Sequence, residues 1–267
     1  MMGLAMNQMR VAKNQWGQRV TAPGCDDAPV VDVEIGVEAK PVVIIKPYFE
    51  NPKTLRDLIR GFANLRLDAP ISLCVVDDCS SETPASEAIR GEAIPPNFSL
   101  YRVKEKARWN WLAARNIAAH EAPEGSWLAM TDMDHAMPFT TVVGLAYGDQ
   151  RADTIYRFTR HEGHQGGPIL PPHKNSWFMT REMFFHVGGY NEAFSGHYGS
   201  DGEFRRRCAR TAPIAVMNRP LVRREFDRDS STTTYGRKEL QDQAVHRIAA
   251  EWQGPPKVLS FPYERVL

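Results

Sequence analysis

From Pro41 onward the apolar residues follow two alternating periods. "PVVIIK" is a short aliphatic run that reads as a buried strand, and Asn51 to Leu65 then sets Leu55, Leu58, Ile59 and Phe62 at helical spacing on one face. The alternation repeats through "ISLCVV", a helix from about Glu82 to Arg90, "FSLYRV", a helix from about Asn110 to His120, and "SWLAMT". Such a pattern predicts an α/β fold with a mostly parallel central sheet and helices on both faces, whose ligands bind beyond the carboxyl ends of the strands. Three polar clusters fall at those ends: "PYFE", "DDCSS" and "DMDH".

Beyond Pro138 the pattern loosens. It predicts a helix to about Ala146, a strand "TIYRFT", a glycine and proline loop from His161 to His173, and a strand in "NSWFMT". A helix follows that Thr180 starts and that Gly188 and Gly189 stop. "GSDGEFRRRCAR" reads as a loop entering another helix, and Glu239 to Trp252 as a final amphipathic helix. Residues 1–40 lack a strong period and read as an extension, with one strand near Val30 to Val37. Residues 41–267 read as one domain.

Composition narrows the function classes. An apolar fraction of 42% over 267 residues is ordinary for a globular chain, and Lys+Arg 33 against Asp+Glu 32 leaves no global pull toward nucleic acid or anionic lipid. The four cysteines form no CxxC pair, which fits a reducing cytoplasm. The N-terminus has no apolar core long enough for a signal peptide, and the longest aliphatic run, Val42 to Ile45, is too short to span a bilayer. The expectation is a cytoplasmic chain without a transmembrane segment.

The stretch "WLAMTDMDHAMP" carries the sharpest chemistry. Asp132 and Asp134 leave a buried strand on the same side, and two like charges in one small space call for a cation between them, commonly a divalent metal on oxygen ligands. Asp77 and Asp78 end the strand "VVDDCSS"; they suit either an Asx turn with a helix cap or hydrogen bonds to a base or ribose.

The order "VVIIKPYFE", "VVDDCSS", "AARN", "TDMDH", "GGYNEAF" and "GSDGEF" resembles glycosyltransferase family 2 over about Pro41 to Arg210. That resemblance implies a GT-A (Rossmann-like) fold and an inverting transfer from a nucleotide-diphosphate sugar, a UDP-sugar first. It implies that Pro47, Tyr48 and Glu50 line the base pocket and that Asp77 and Asp78 contact base or ribose. Arg115 matches an arginine close to the donor, with a solvated helix surface as the alternative. Asp132 and Asp134 match the DxD element, Asp132 also facing the donor and Asp134 being the more direct ligand of Mn²⁺ or Mg²⁺. Asp201 matches the catalytic base and Glu203 is the fallback, while the plain alternative makes Asp201 a helix cap.

The chain departs from the family in three places. His135 stands where a third carboxylate is common, Asn110 where glycine is common, and Ser200 where the base has an acidic neighbour. No QxxRW element is present, which argues against processive synthesis. "HEGHQ" fails as a zinc protease motif, because His161 and His164 are three residues apart and not four. The His161 to His173 loop reads as a flap over the site or as plain surface. The arginines of "RRRCAR" and "NRPLVRREFDR" leave two acceptors open: a glycan or lipid-linked saccharide, or hydroxymethylated pyrimidine in DNA, as in phage-type members of the family. A non-catalytic nucleotide-sugar-binding module and a sugar nucleotidyltransferase are the alternatives, the latter disfavoured because "KPYFENP" lacks a glycine-rich phosphate loop.

Overall fold

The computed structural model describes residues 9–12, 30–33, 38–65, 69–107, 110–197, 200–224 and 254–267. The helix expected over Glu239 to Trp252 lies outside them. Met9–Ala12 (β1) and Val30–Val33 (β2) form a separate antiparallel pair, so the expected strand begins at Val30; its continuation over 34–37 is outside the described residues.

The main sheet is built from Val42–Tyr48 (β3), Ile71–Asp77 (β4), Phe98–Val103 (β5), Trp127–Met130 (β6), His135–Ala136 (β7), Ile155–Glu162 (β8), Ile169–Leu170 (β9), Trp177–Thr180 (β10), Ile214–Arg223 (β11) and Tyr263–Arg265 (β12). Its order is β12-β5-β4-β3-β6-β10-β8-β11-β7, with β9 beside β8. β5, β4, β3 and β6 run parallel, as expected. The other half is mixed: β11 runs parallel to β8, whereas β10 is antiparallel to both β6 and β8 and β7 to β11, and at the opposite edge β12 is antiparallel to β5. Strand direction is a property of pairing and is not written in a strand's own residues.

Period-two alternation sorts the apolar residues onto two faces. Val43, Ile45, Cys74 and Val76 face one core with Leu112 and Ile117 of Trp111–Glu121 (α3), Phe184 of Arg181–His186 (α5) and Phe204 of Ser200–Thr211 (α6). Val42, Ile44, Leu73 and Val75 face the other with Leu55 and Ile59 of Pro52–Ala63 (α1) and Leu145 of Phe139–Tyr147 (α4). Each fully buried aliphatic side chain contributes about 1.5–3 kcal/mol.

Local signals start and stop the helices. Asn51 accepts from the Thr54 amide before Pro52 opens α1. Thr180 accepts from the Met183 amide to open α5, and the chain leaves that helix through Gly188 and Gly189 at φ 95° and 62°. The helix expected over Glu82 to Arg90 contracts to Ala85–Ala88 (α2). The expected flap is a hydrogen-bonded hairpin: β8 runs on to Glu162, turns, and pairs back through β9 with His161 opposite Ile169. Among the described residues no helix is long and apolar enough to cross a membrane.

Candidate active site

The acidic turn Asp132–His135 leaves the carboxyl end of β6 beside β3. It is pinned at both ends: the Thr131 amide donates to the Ile45 carbonyl, and the Arg224 amide to the Asp134 carbonyl. Lys46 holds its middle. This side chain is fully buried, and its ammonium donates to the carbonyls of Asp132 (2.9 Å) and His135 (2.6 Å). Burial brings the ammonium down to about 7, although Asp134 and Asp132 pull the other way. The signal in the sequence was a lone charge closing the aliphatic run "PVVIIK", and the motif reading passed over it.

Arg115 is also fully buried, which settles its alternatives against a solvated helix surface. Its guanidinium donates to the Asp132 carboxylate and to the Tyr190 hydroxyl (2.9 Å) and lies over the Trp111 ring at 4.8 Å. The next residue, Asn116, donates to the Tyr190 carbonyl and to the Glu192 carboxylate, both at 2.7 Å, and accepts from the Tyr190 amide. Glu192 also accepts from the amides of Leu259 (2.9 Å) and Ser260 (2.6 Å). "AARN" and "GGYNEAF" are therefore one hydrogen-bonded frame behind Asp132. Glycine suits position 189 twice over: besides the positive φ, a Cβ there would lie 2.9 Å from Val258 and 3.1 Å from the Asn116 oxygen.

Two histidines flank the acidic pair. His135 Nδ1 lies 2.5 Å from Asp134 Oδ1, and Arg160 presents an N–H to its Nε2 at 3.3 Å. Since arginine only donates, Nε2 accepts and the hydrogen on Nδ1 points to Asp134. Burial works against the Asp134 charge, yet the bond from His135 and the nearby positive groups outweigh it and hold the carboxyl below its ordinary range. His173 arrives from the far side of the hairpin, its Nδ1 3.3 Å from Asp132 Oδ2 and its ring 4.6 Å from that of His135. Burial lowers its pKa against the attraction of Asp132.

At the ends of β3 and β4 the acids divide. Asp77 accepts from the amides of Ser80 and Ala85, both at 2.8 Å, in the turn-and-cap arrangement. Glu50, at φ 45°, accepts from the amides of Ser81 (2.5 Å), Glu82 (3.0 Å) and Thr83 (2.7 Å). Tyr48 is fully buried and donates to the Thr83 carbonyl. These three side chains shape the loop after β4 from within. Pro47 is half-buried beside them. Asp78 differs: its buried Oδ1 has no hydrogen-bond partner, and burial raises its carboxyl well above the usual range, against a bond from the Asn110 backbone.

On α6, Glu203 is held by Arg207 through two bonds of 2.6 and 2.8 Å, whereas the half-buried Asp201 makes no hydrogen bond among the described residues. The helix is anchored by Phe204, stacked on Tyr190 at 4.0 Å. Tyr190 thus joins the Arg115–Asp132 pair to the helix that carries Asp201.

Among the described residues no three His, Cys, Asp or Glu side chains form a ready-made cation cage. The donor chemistry nonetheless fits a divalent metal. Asp132 and Asp134 put carboxylates about a third exposed on one turn, and the buried His173 Nδ1 has no hydrogen-bond partner. A cavity of about 200 Å³ lies between α1 and the Met133–Phe139 segment, lined by Leu58, Phe62, Met133, His135, Met137 and Arg224, and includes neither Asp132 nor Asp134.

No family model and no curated protein matches the chain. Solved structures do. TarS from S. aureus in complex with UDP-GlcNAc superimposes with a TM-score of 0.55 at 15% identity, over 79% of this chain and 65% of that one. The mannosyltransferase PcManGT from Pyrobaculum calidifontis, in complex with GDP-Man and Mn²⁺, gives 0.50 at 14%, over 72% and 61%. GalNAc-T7 with UDP, GalNAc and Mn²⁺ gives 0.54 at 14%, over 70% and 44%. The chain has the GT-A fold. It spans 60% of the TarS 1-349 chain.

Proposed function

We propose that this chain is an inverting, metal-dependent, non-processive glycosyltransferase of the family 2 type, moving a sugar from a nucleotide-diphosphate donor, first a UDP-sugar, to an acceptor hydroxyl. One observation carries the reading: the Asp132–Asp134 turn at the sheet's ligand end is held by Lys46 and Arg115, with only β3 between its strand and the one that leads to Asp78 and its unpartnered oxygen. The structural neighbours crystallised with nucleotide sugars and Mn²⁺ support it through their shared fold. Residues 41–267 are the catalytic unit in this reading and 1–40 an extension. The buried free thiols of Cys74 and Cys208 support a cytoplasmic setting.

Asp78 and Pro47 meet the base or ribose, in a wall that Tyr48, Glu50 and Asp77 shape. Asp132 and Asp134 hold Mn²⁺ or Mg²⁺, which when bound supplies the positive charge that stabilises the leaving diphosphate. Arg115 fixes the Asp132 carboxylate in place. Asp201 takes the proton of the acceptor hydroxyl as that oxygen attacks the anomeric carbon opposite the diphosphate. Glu203, tied to Arg207, holds the helix. Exposed Arg205, Arg206 and Arg210 on the same helix favour an anionic acceptor.

The test is a panel of nucleotide sugars with Mn²⁺, scored for slow donor hydrolysis, which needs no acceptor. Hydrolysis of one donor, abolished by EDTA, is the expected result. Tight donor binding without turnover would reduce the chain to a binding module. Incubating the active donor with hydroxymethylated and unmodified duplexes and with glycans, then weighing the products, separates the two acceptor classes.

A further inference from the structure

We propose that Arg157, backed by Arg205, forms an anion subsite that selects an acceptor carrying a phosphate or carboxylate beside the hydroxyl that takes the sugar. This rests on the transfer reading above, with Asp201 as its base. β8 alternates between the two cores, Ile155 with Phe204 on one face and Phe158 with Leu55 on the other, so Arg157 shares the face that α6 packs against. There its guanidinium lies 4.9 Å over the Trp177 ring, and that ring meets Phe204 of α6 edge-on at 5.8 Å. Asp201 and Arg205 stand one turn apart on that helix, and both charges act on the Arg157 guanidinium.

The guanidinium is held but not neutralised. Its Nη2 donates to the carbonyls of Pro172 (2.9 Å) and His173 (2.6 Å), while among the described residues Nη1 makes no hydrogen bond and the buried Nε has no partner. No ion pair among the described residues includes Arg157 or Arg205. Burial and then the Arg205 charge lower the Arg157 pKa, against the pull of Tyr190 and Asp201. Arginine keeps its proton nonetheless, so a bound anion is what relieves such a site. Two carbonyls and an aromatic ring fix the fork before any ligand arrives, which lowers the ordering cost of binding relative to a free surface arginine. Val216, in register with Arg157 on β11, is exposed, so that flank is open to solvent. Thr159, two residues further along the same face, has a buried hydroxyl without a partner, a further donor for an anion oxygen. Arg205, exposed on α6, adds a second cation from the side of the base. An anion between the two arginines lies beside Asp201 and therefore belongs to the molecule whose hydroxyl Asp201 deprotonates.

The experiment uses the full chain without metal or donor, and inorganic phosphate and acetate as probes. Binding is followed by NMR at the Trp177 indole N–H, assigned by its loss in Trp177→Phe. The expected result is a saturable shift, the ion that binds more tightly naming the group on the acceptor. Arg157→Gln weakens binding at least about tenfold, as loss of a charge-assisted hydrogen bond implies, and Arg205→Gln at least about threefold. Arg90→Gln, at an exposed arginine beyond α2, leaves it unchanged. No saturable shift with either ion, or a shift that Arg90→Gln weakens as much as Arg205→Gln does, overturns the subsite and leaves the transfer reading standing. A donor KM raised about tenfold by Arg157→Gln in acceptor-free hydrolysis assigns the guanidinium to the donor and overturns it as well. A wild type that hydrolyses no donor sinks the transfer reading, and the acceptor role with it, whatever the phosphate titration shows. Should Arg157→Gln fail to fold, Arg205→Gln at its exposed position decides alone.

Discussion

Asp201→Asn isolates proton transfer from everything else this side chain does. Asparagine keeps the shape and one oxygen but does not accept the proton of an alcohol, so transfer should fall by about 10²–10⁴-fold. That is about 3–5 kcal/mol on the barrier. The structure limits the loss of stability. The carboxylate makes no hydrogen bond among the described residues, so the change removes only the attraction of a negative charge for the start of α6, worth about 0.3–1 kcal/mol. For a chain of this size that lowers Tm by no more than about 4 °C. Glu203→Gln is the matched control. It breaks a two-pronged link to Arg207 in which both side chains are mostly buried, so it should lower stability by about 1–3 kcal/mol and leave chemistry nearly intact. The assay is initial-rate sugar transfer at saturating donor and acceptor, paired with thermal unfolding of the same preparations. Asp201→Asn turning over within threefold of wild type, or Glu203→Gln losing more activity than Asp201→Asn, refutes the assignment.

Three further outcomes follow from the same geometry. Asp134→Ala should abolish Mn²⁺-dependent turnover and tight nucleotide binding while the circular dichroism spectrum stays native; full wild-type activity in EDTA would count against the metal altogether. Glu192→Gln places an amide N–H against the Ser260 amide inside the buried frame, a loss of about 1.5–3 kcal/mol that thermal unfolding should read as a Tm lower by several degrees. Asp78 titrates above its unfolded value, so the native state binds the extra proton, and stability falls as pH rises from about 4 through the native pKa. Asp78→Asn should therefore unfold at a higher temperature than wild type at pH 7, with the gap closing toward pH 4; a gap independent of pH would show that this carboxyl is not the source.

Asp78 also shows how legible the site was. Asp77 and Asp78 are indistinguishable as letters, and the sequence allowed both a capping turn and a ligand contact. Folding divides the two roles: Asp77 satisfies the turn with both oxygens, and its neighbour keeps an oxygen unpartnered. Arg115 and Asp132 were each marked by motif, but that they bond to each other in the interior came only with the packing of α3 against the sheet.

What the amino-acid order determined alone is what local interactions enforce. The strand and helix periods, the caps at Asn51 and Thr180, the stop at Gly188 and Gly189 and the acidic turn after β6 all depend on residues a few positions apart. Tertiary structure decided whatever joins distant segments. The antiparallel direction of β10, the hairpin that returns β9 along β8, the reach of Lys46 to a turn 86 positions on, and the placing of His173 against Asp132 are of this kind. No periodicity encodes them, because each is fixed by which strand lies beside which, and a strand's own residues state only that it will be buried.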